Sequence, residues 1–171
     1  MNDEVKTPNV DTIEETLLDL DSVEDIDFDS IQDAPGFIEP PDGVYKLNVE
    51  KAAIETYKTK EGETKRRFAH YYAVSAVIEL ADPTEQEPKA GDKFSERFMV
   101  NDVGIQYWKT KAKAILGDIG KVTVQNALAE LSTGNYTFKA RVNTKKSKGK
   151  DGKEYKNVQV RVLSADEDIP F

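Results

Sequence analysis

The chain has 171 residues, no cysteine, one histidine and a formal net charge of −8. That length accommodates one domain with a real core and not two of ordinary size. The missing thiols and the lone imidazole exclude disulfides, thiol catalysis and the usual zinc clusters. The negative total conceals a division along the chain. Residues 1–40 hold 13 acids against one base, residues 41–164 hold 16 acids against 23 bases, and residues 165–171 hold three acids and no base. A body of net +7 therefore lies between acidic ends, which favours polyanionic partners for the body and competition for them by the ends.

Residues 1–40 read as an acidic arm, because Leu17, Leu18, Leu20, Val23, Ile26, Phe28 and Ile31 are sparse and embedded in carboxylates. Thr12 and Glu15 have capping-box spacing and predict a short helix over 13–20 when the arm is docked. The acidic start Met1-Asn2-Asp3-Glu4, and the lack of any apolar run of the roughly 18–20 residues a span needs, predict neither signal peptide nor anchor. The expected location is the cytoplasm and no membrane partner is expected. Ala34-Pro35-Gly36 and Pro40-Pro41-Asp42-Gly43 punctuate the chain, so the domain is expected over 41–164.

From Gly43 the period is two. Tyr45, Leu47 and Val49 alternate with polar residues, and Ile54 falls on the opposite parity, which predicts a bulge near Lys51 and Ala52. A basic turn, Lys58 to Gly62, leads to a second strand with Phe68, Tyr72, Val74, Ala76, Ile78 and Leu80 on one face and Arg67, Ala69, Tyr71, Ala73 and Ser75 on the other. A polar loop, Asp82 to Gly91, precedes a third strand carrying Phe94, Phe98 and Val100. Ile105, Trp108, Ala112, Ile115 and Leu116 then mark a helix over 103–116 with Asp102 as its cap, and Thr123 starts a second helix to Leu131. A fourth strand carries Tyr136, Phe138, Ala140 and Val142 inward. Thr144 to Glu154, spaced by Ser, Gly and lysines, predicts a solvated loop, and a fifth strand carries Val158, Val160 and Val162 inward. Three strands, a helical insertion and two strands is the element order of a mainly β, five-stranded OB-fold barrel; an open α+β sheet uses the same elements.

Oligonucleotides on that fold lie between the loops joining strands one to two and four to five. Here those loops supply Lys58, Lys60, Lys65, Arg66 and Arg67, and Lys145, Lys146, Lys148 and Lys150. Lysine and arginine neutralise phosphates with little sequence information. Tyr57, Tyr71 and Tyr155 adjoin them, offering rings on which bases stack, and Lys139, Arg141 and Arg161 fall on outward strand positions. Trp108 and His70 sit in phase with apolar residues and are expected in the core. The chain closes on Asp166-Glu167-Asp168-Ile169-Pro170-Phe171, an aromatic and acidic segment suited to an apolar socket with a basic rim.

That last segment resembles the acidic C-terminal tip of bacterial single-stranded DNA-binding proteins, without the long linker that precedes it there. The body, from Pro40-Pro41-Asp42-Gly43-Val44-Tyr45 through Lys111-Ala112-Lys113-Ala114-Ile115-Leu116-Gly117 to Ala140-Arg141-Val142, is similar to phage-encoded single-stranded DNA-binding proteins of the OB-fold type. The resemblance implies single-stranded DNA as ligand, replication, recombination or repair enzymes as partners of the tip, and no cofactor; self-association is compatible with it. Two other readings stand beside it. One is an interaction protein whose acidic arm imitates nucleic acid. The other is a metal-dependent nuclease, for which Pro41-Asp42 and Glu63-Thr64-Lys65 imitate the carboxylate and lysine set. No phosphate loop, Ser-His-Asp set or histidine pair supports an enzyme.

Overall fold

A computed structural model describes residues 25, 27–30, 33–150 and 152–164. The expected helix over 13–20 and the segment 165–171 lie outside these residues. The chain divides into two units, Met1–Ala34 and Pro35–Phe171. In the first, a 3-10 turn spans Phe28–Ser30, with the Asp27 carboxylate accepting from the Asp29 N–H at 3.3 Å.

The second unit is mainly β: five antiparallel strands and two helices. β1 (Gly43–Lys58), β2 (Thr64–Leu80) and β3 (Lys93–Met99) precede α1 (Asp102–Leu116) and α2 (Val124–Leu131), and β4 (Thr137–Lys148) and β5 (Glu154–Leu163) follow. The sheet order is β3-β2-β1-β4-β5. The unit begins earlier than the expected Pro41, because the Ile38 N–H donates to the Lys93 carbonyl at 2.8 Å and the Lys93 N–H to that of Gly36 at 2.9 Å, laying this segment parallel against β3. Among the described residues, no helix is long and apolar enough to cross a membrane.

β1 belongs to two pairings at once. It runs along β2 for its whole length, while Gly43–Asn48 also pair with β4. Three register shifts bend it: Glu50 is the extra residue in β1, and Ser75 and Ile78 are extra in β2. A bulge adds one residue to one strand and increases the local twist. The expected β2 parity therefore fails between the two bulges, where Val77 turns inward, Ala76 outward and Ile78 is 52% exposed, and it is restored at Leu80, which packs on the core. The expected lysine loop is also shorter than the sequence suggested. Thr144–Lys148 continue β4 and pair with Glu154–Val158, leaving only 149–153 as the turn. The ribbon extends a β4–β5 pairing already anchored in the sheet, so it forms with little burial of its own, and composition alone misread it.

α1 starts at Asp102 but is capped by Asn101, whose side chain accepts from the Gly104 N–H at 2.7 Å. Gly104 lies against the end of β3, where an added Cβ would collide with the Met99 carbonyl. Only glycine allows this approach. α1 buries Trp108 and Ala112, whereas Ile105, expected on the inner stripe, stays exposed. Thr123 caps α2 through the Asn126 N–H.

The core is built of Tyr45, Leu47, Val49, Phe68, Tyr72, Val74, Phe94, Ala140, Val142 and Val160, closed by Trp108 stacked on Phe68 at 4.5 Å between centroids. A polar chain runs through it. The Trp108 indole N–H donates to His70 Nε2 at 2.9 Å, which leaves the imidazole proton on Nδ1, 3.0 Å from the Tyr72 hydroxyl. Tyr72 donates in turn to Glu96 Oε1 at 2.8 Å. Glu96 Oε2 accepts from the Val160 N–H at 2.9 Å and lies 3.4 Å from Lys111 Nζ. β3 and β5 are the two edges of the sheet and share no ladder among the described residues. The Glu96 carboxylate spans them.

Burial, aided by the Lys111 charge, pushes His70 down to about 4. A histidine whose folded pKa lies below the ordinary ~6.5 contributes stability that is fully present above 6.5 and is lost as pH falls through 4, about 3 kcal/mol in all. The protein holds one histidine, so a single imidazole C2–H resonance reports it. That resonance is expected to stay in its neutral position from pH 8 to pH 5; a midpoint near 6.5 would contradict the buried neutral ring.

Candidate nucleic-acid interface

The β1–β2 and β4–β5 hairpins turn by the same chemistry. In Thr59-Lys60-Glu61-Gly62-Glu63 the Thr59 N–H donates to the Glu63 carbonyl and the Gly62 N–H to that of Thr59, both at 2.9 Å. Gly149 and Lys153, and Gly152 and Gly149, repeat the two bonds at 2.9 and 3.0 Å. Gly62 and Gly152 take φ of 84° and 77°, which glycine adopts without strain. Each turn projects a lysine, Lys60 or Lys150, from its tip.

The two hairpins meet. Lys60 Nζ donates to the Tyr155 hydroxyl at 3.3 Å and lies 5.6 Å from the centre of its ring. The Lys60 ammonium also holds Lys153 below the ordinary lysine range. An anion between the two ammonium groups would relieve that shift.

Below this junction the outer face of β1, β2 and β3 carries a connected group. Arg67 lies over the Tyr57 ring at 4.6 Å, and the Tyr57 hydroxyl points to Met99 Sδ at 3.7 Å. Arg67 Nε donates to Glu55 Oε1 at 2.9 Å, the Tyr71 hydroxyl donates to Oε2 at 2.6 Å, and Arg97 Nε stands 3.8 Å from Oε1. Phe37 meets the Tyr71 ring edge-on at 6.4 Å, with Lys51 on the same ring at 6.0 Å. Partial burial raises the Glu55 pKa, but the donors Tyr71 and Arg67 and the charges of Arg67 and Arg97 outweigh it and hold the carboxyl below the usual range. Glu55 thus stays ionised and fixes both Arg67 and Tyr71 while leaving the patch cationic. The hydrogen bond to Glu55, with burial, raises Tyr71.

The sequence-derived residues divide over this geometry. Tyr57, Lys65, Arg67 and Tyr71 share the outer face of β1 and β2, Lys60 and Tyr155 meet where the two hairpins join, and Lys145 lies on the same face of the β4–β5 ribbon as Tyr155. Lys65 also pairs with Glu63 at 3.6 Å. Lys139, Arg141 and Arg161 face the same way but lie beside Lys46 and Val44, five to seven residues back along β1 from Lys51. Lys58, Arg66, Lys146 and Lys148 fall on the opposite parity, where Lys146 stands 3.8 Å from Glu154, and Lys150 is exposed in its turn. The structure does not gather these four with the tyrosines. Asp166 to Phe171 lie outside the described residues.

Arg97, Lys51, Phe37 and Glu55 were missed by the sequence reading. Arg97 alternates with Glu96 and Phe98 in β3, and its outward parity is the one signal that could have found it. The carboxylates of the nuclease reading are not brought together: Asp42 precedes β1 and accepts from the Thr144 N–H at 2.9 Å, whereas Glu63 and Lys65 lie at the other end of that strand. Among the described residues no group of three or more His, Asp or Glu could hold a metal ion. No protein-family model matches the chain, and no curated protein matches it.

Proposed function

We propose that the second unit binds single-stranded DNA without sequence preference, across the outer face of β1–β3 and beneath the β1–β2 and β4–β5 hairpins, as an accessory to replication, recombination or repair. The observation that carries this is the junction of two lysine-tipped hairpins at Lys60 and Tyr155 above a patch of rings and guanidinium groups, Tyr57, Arg67, Tyr71 and Arg97. Rings flanked by cations take bases and phosphates together, and every base has a face to stack. In this reading the sheet is an OB-type barrel whose last seam is Glu96 between β3 and β5. The acidic segment 165–171 recruits partner enzymes, and no catalysis or cofactor is involved.

The body of net +7 and the 12 acids of residues 1–34 also bear on the reading in which the arm imitates nucleic acid. Removing residues 1–34, and leaving the segment that pairs with β3, separates the two. Loss of the arm's negative charge is expected to tighten oligothymidine binding by about tenfold at low salt, and by less as salt rises. Complete loss of activity on that deletion would favour the imitating arm instead.

A further inference from the structure

α1, α2 and the segment 117–123 between them enclose a groove of ≈ 930 Å³, within the roughly 300–1,000 Å³ of sites that take a small ligand or the side chains of a peptide. Its floor is Trp108, Ala112 and Ala127, and its sides expose Ile105, Val122 and Val124 to solvent. Lys109, Lys113 and Lys121 line it with one acid, Asp118. Asp118 is engaged by the Gly120 N–H at 3.0 Å, and among the described residues none of the three lysines forms an ion pair. An apolar floor under a cationic rim selects an apolar ligand with negative charge close by.

The chain supplies that ligand. Asp166-Glu167-Asp168-Ile169-Pro170-Phe171 sets three carboxylates beside three apolar side chains. The strand that precedes it, β5, meets α1 through a shared carboxylate. Val160 of β5 and Lys111 of α1 share Glu96 Oε2, and Leu163, the last residue of β5, pairs with Lys139 near the start of β4, which the chain enters from α2. From Leu163 to Phe171 is eight residues, a reach of about 26–29 Å. The 15 residues of α1 span about 22 Å.

We propose that the groove between α1 and α2 holds this chain's own segment 165–171, with Ile169, Pro170 and Phe171 on the apolar floor and Asp166, Glu167 and Asp168 toward Lys109, Lys113 and Lys121. Docked in this way the segment is withheld from other proteins until one outcompetes the groove for it. That consequence rests on the segment being a recruiting tip, whereas the docking itself does not.

The test needs no DNA, so it stands apart from the outcome at the outer face. Proton–nitrogen correlation spectra are compared for the full chain and for the full chain carrying I169A and F171A. The indole N–H of Trp108, the one tryptophan, and the amides of Ile105, Val122 and Val124 are expected to shift between the two. Those of Arg67 and Tyr71 are expected to stay in place, and the wild-type positions to be independent of protein concentration. Adding a peptide of sequence 165–171 to the variant restores the wild-type positions. In a further variant with K109E, K113E and K121E, restoration requires about two- to fivefold more peptide per lysine reversed. Unmoved groove signals, shifts at Arg67 and Tyr71 in their place, or wild-type positions that revert on dilution because the segment sits in a second copy would each overturn the proposal.

Discussion

Replacing Glu96 with alanine is expected to destabilise the fold by about 3–5 kcal/mol. The substitution does more than delete one ion pair. It leaves the Tyr72 hydroxyl and the Val160 N–H inside the core without their acceptor, and the Lys111 ammonium, whose side chain is 15% exposed, without its counter-charge. A buried donor with no acceptor costs about 1–3 kcal/mol, and a stranded charge more. Burial raises the Glu96 pKa, and Lys111, Val160 and Tyr72 oppose it. Glu96→Gln, which keeps an acceptor oxygen, is expected to lose less. Pairing Glu96→Ala with Lys111→Met is expected to recover part of the loss, because the stranded charge goes as well. Urea unfolding followed by the Trp108 fluorescence checks the series. A loss below about 1 kcal/mol for Glu96→Ala would show that the two sheet edges are held by something other than this carboxylate.

The second large effect falls on binding. Tyr57→Ala combined with Tyr155→Ala is expected to weaken oligothymidine binding by about 2–6 kcal/mol, at about 1–3 kcal/mol for each ring that stacks a base. Tyr57 also lies under the Arg67 guanidinium, and Tyr155 holds Lys60 at the junction of the hairpins. Each removal therefore also loosens a cation to which the proposed function gives a phosphate. Reversing Lys139 and Arg141, which lie farther back along the sheet, is expected to weaken binding less and to flatten its salt dependence by roughly 0.7 for each phosphate no longer held. Tyr155 is exposed, but Tyr57, Lys139 and Arg141 are half-buried and Arg141 Nε is enclosed, so urea unfolding of each pair accompanies the titrations to separate lost binding from lost stability. Titrations of labelled oligothymidine measure both pairs. Equal effects of the two would place the strand along β4 and β5 as well as on the Tyr57 patch.

The strands and helices were largely legible because burial dictates periodicity. Tyr45, Leu47 and Val49 alternate in the sequence as they do in β1, and Trp108 with Ala112 marked the inner face of α1. The bulges at Ser75 and Ile78 were not legible. A single extra residue reverses the phase of the alternation, as at Glu50 in β1, but these two lie three residues apart and the second restores the phase that the first reverses, so Leu80 keeps the parity of Val74 and the pattern looks uninterrupted. The buried carboxylate was hidden for a related reason. Glu96 sits in a Ser-Glu-Arg run that looks solvated, and its partners, Tyr72, Lys111 and Val160, come from three other elements. In the interface, Tyr57, Tyr71, Tyr155 and the hairpin lysines could be found by composition near predicted turns. Phe37 and Arg97 join them only because the segment before β1 runs along β3 and β3 pairs with β2.

In the proposed function a cationic, ring-bearing sheet face holds the backbone and bases of an unpaired strand. The most direct test is a titration of the full chain with labelled oligothymidine and with a duplex of equal length at two salt concentrations. Tighter binding of the single strand, weakening with salt by a slope near −0.7 for each phosphate held, is the predicted result. No binding to oligothymidine at low salt, even with residues 1–34 and 165–171 removed, would contradict it.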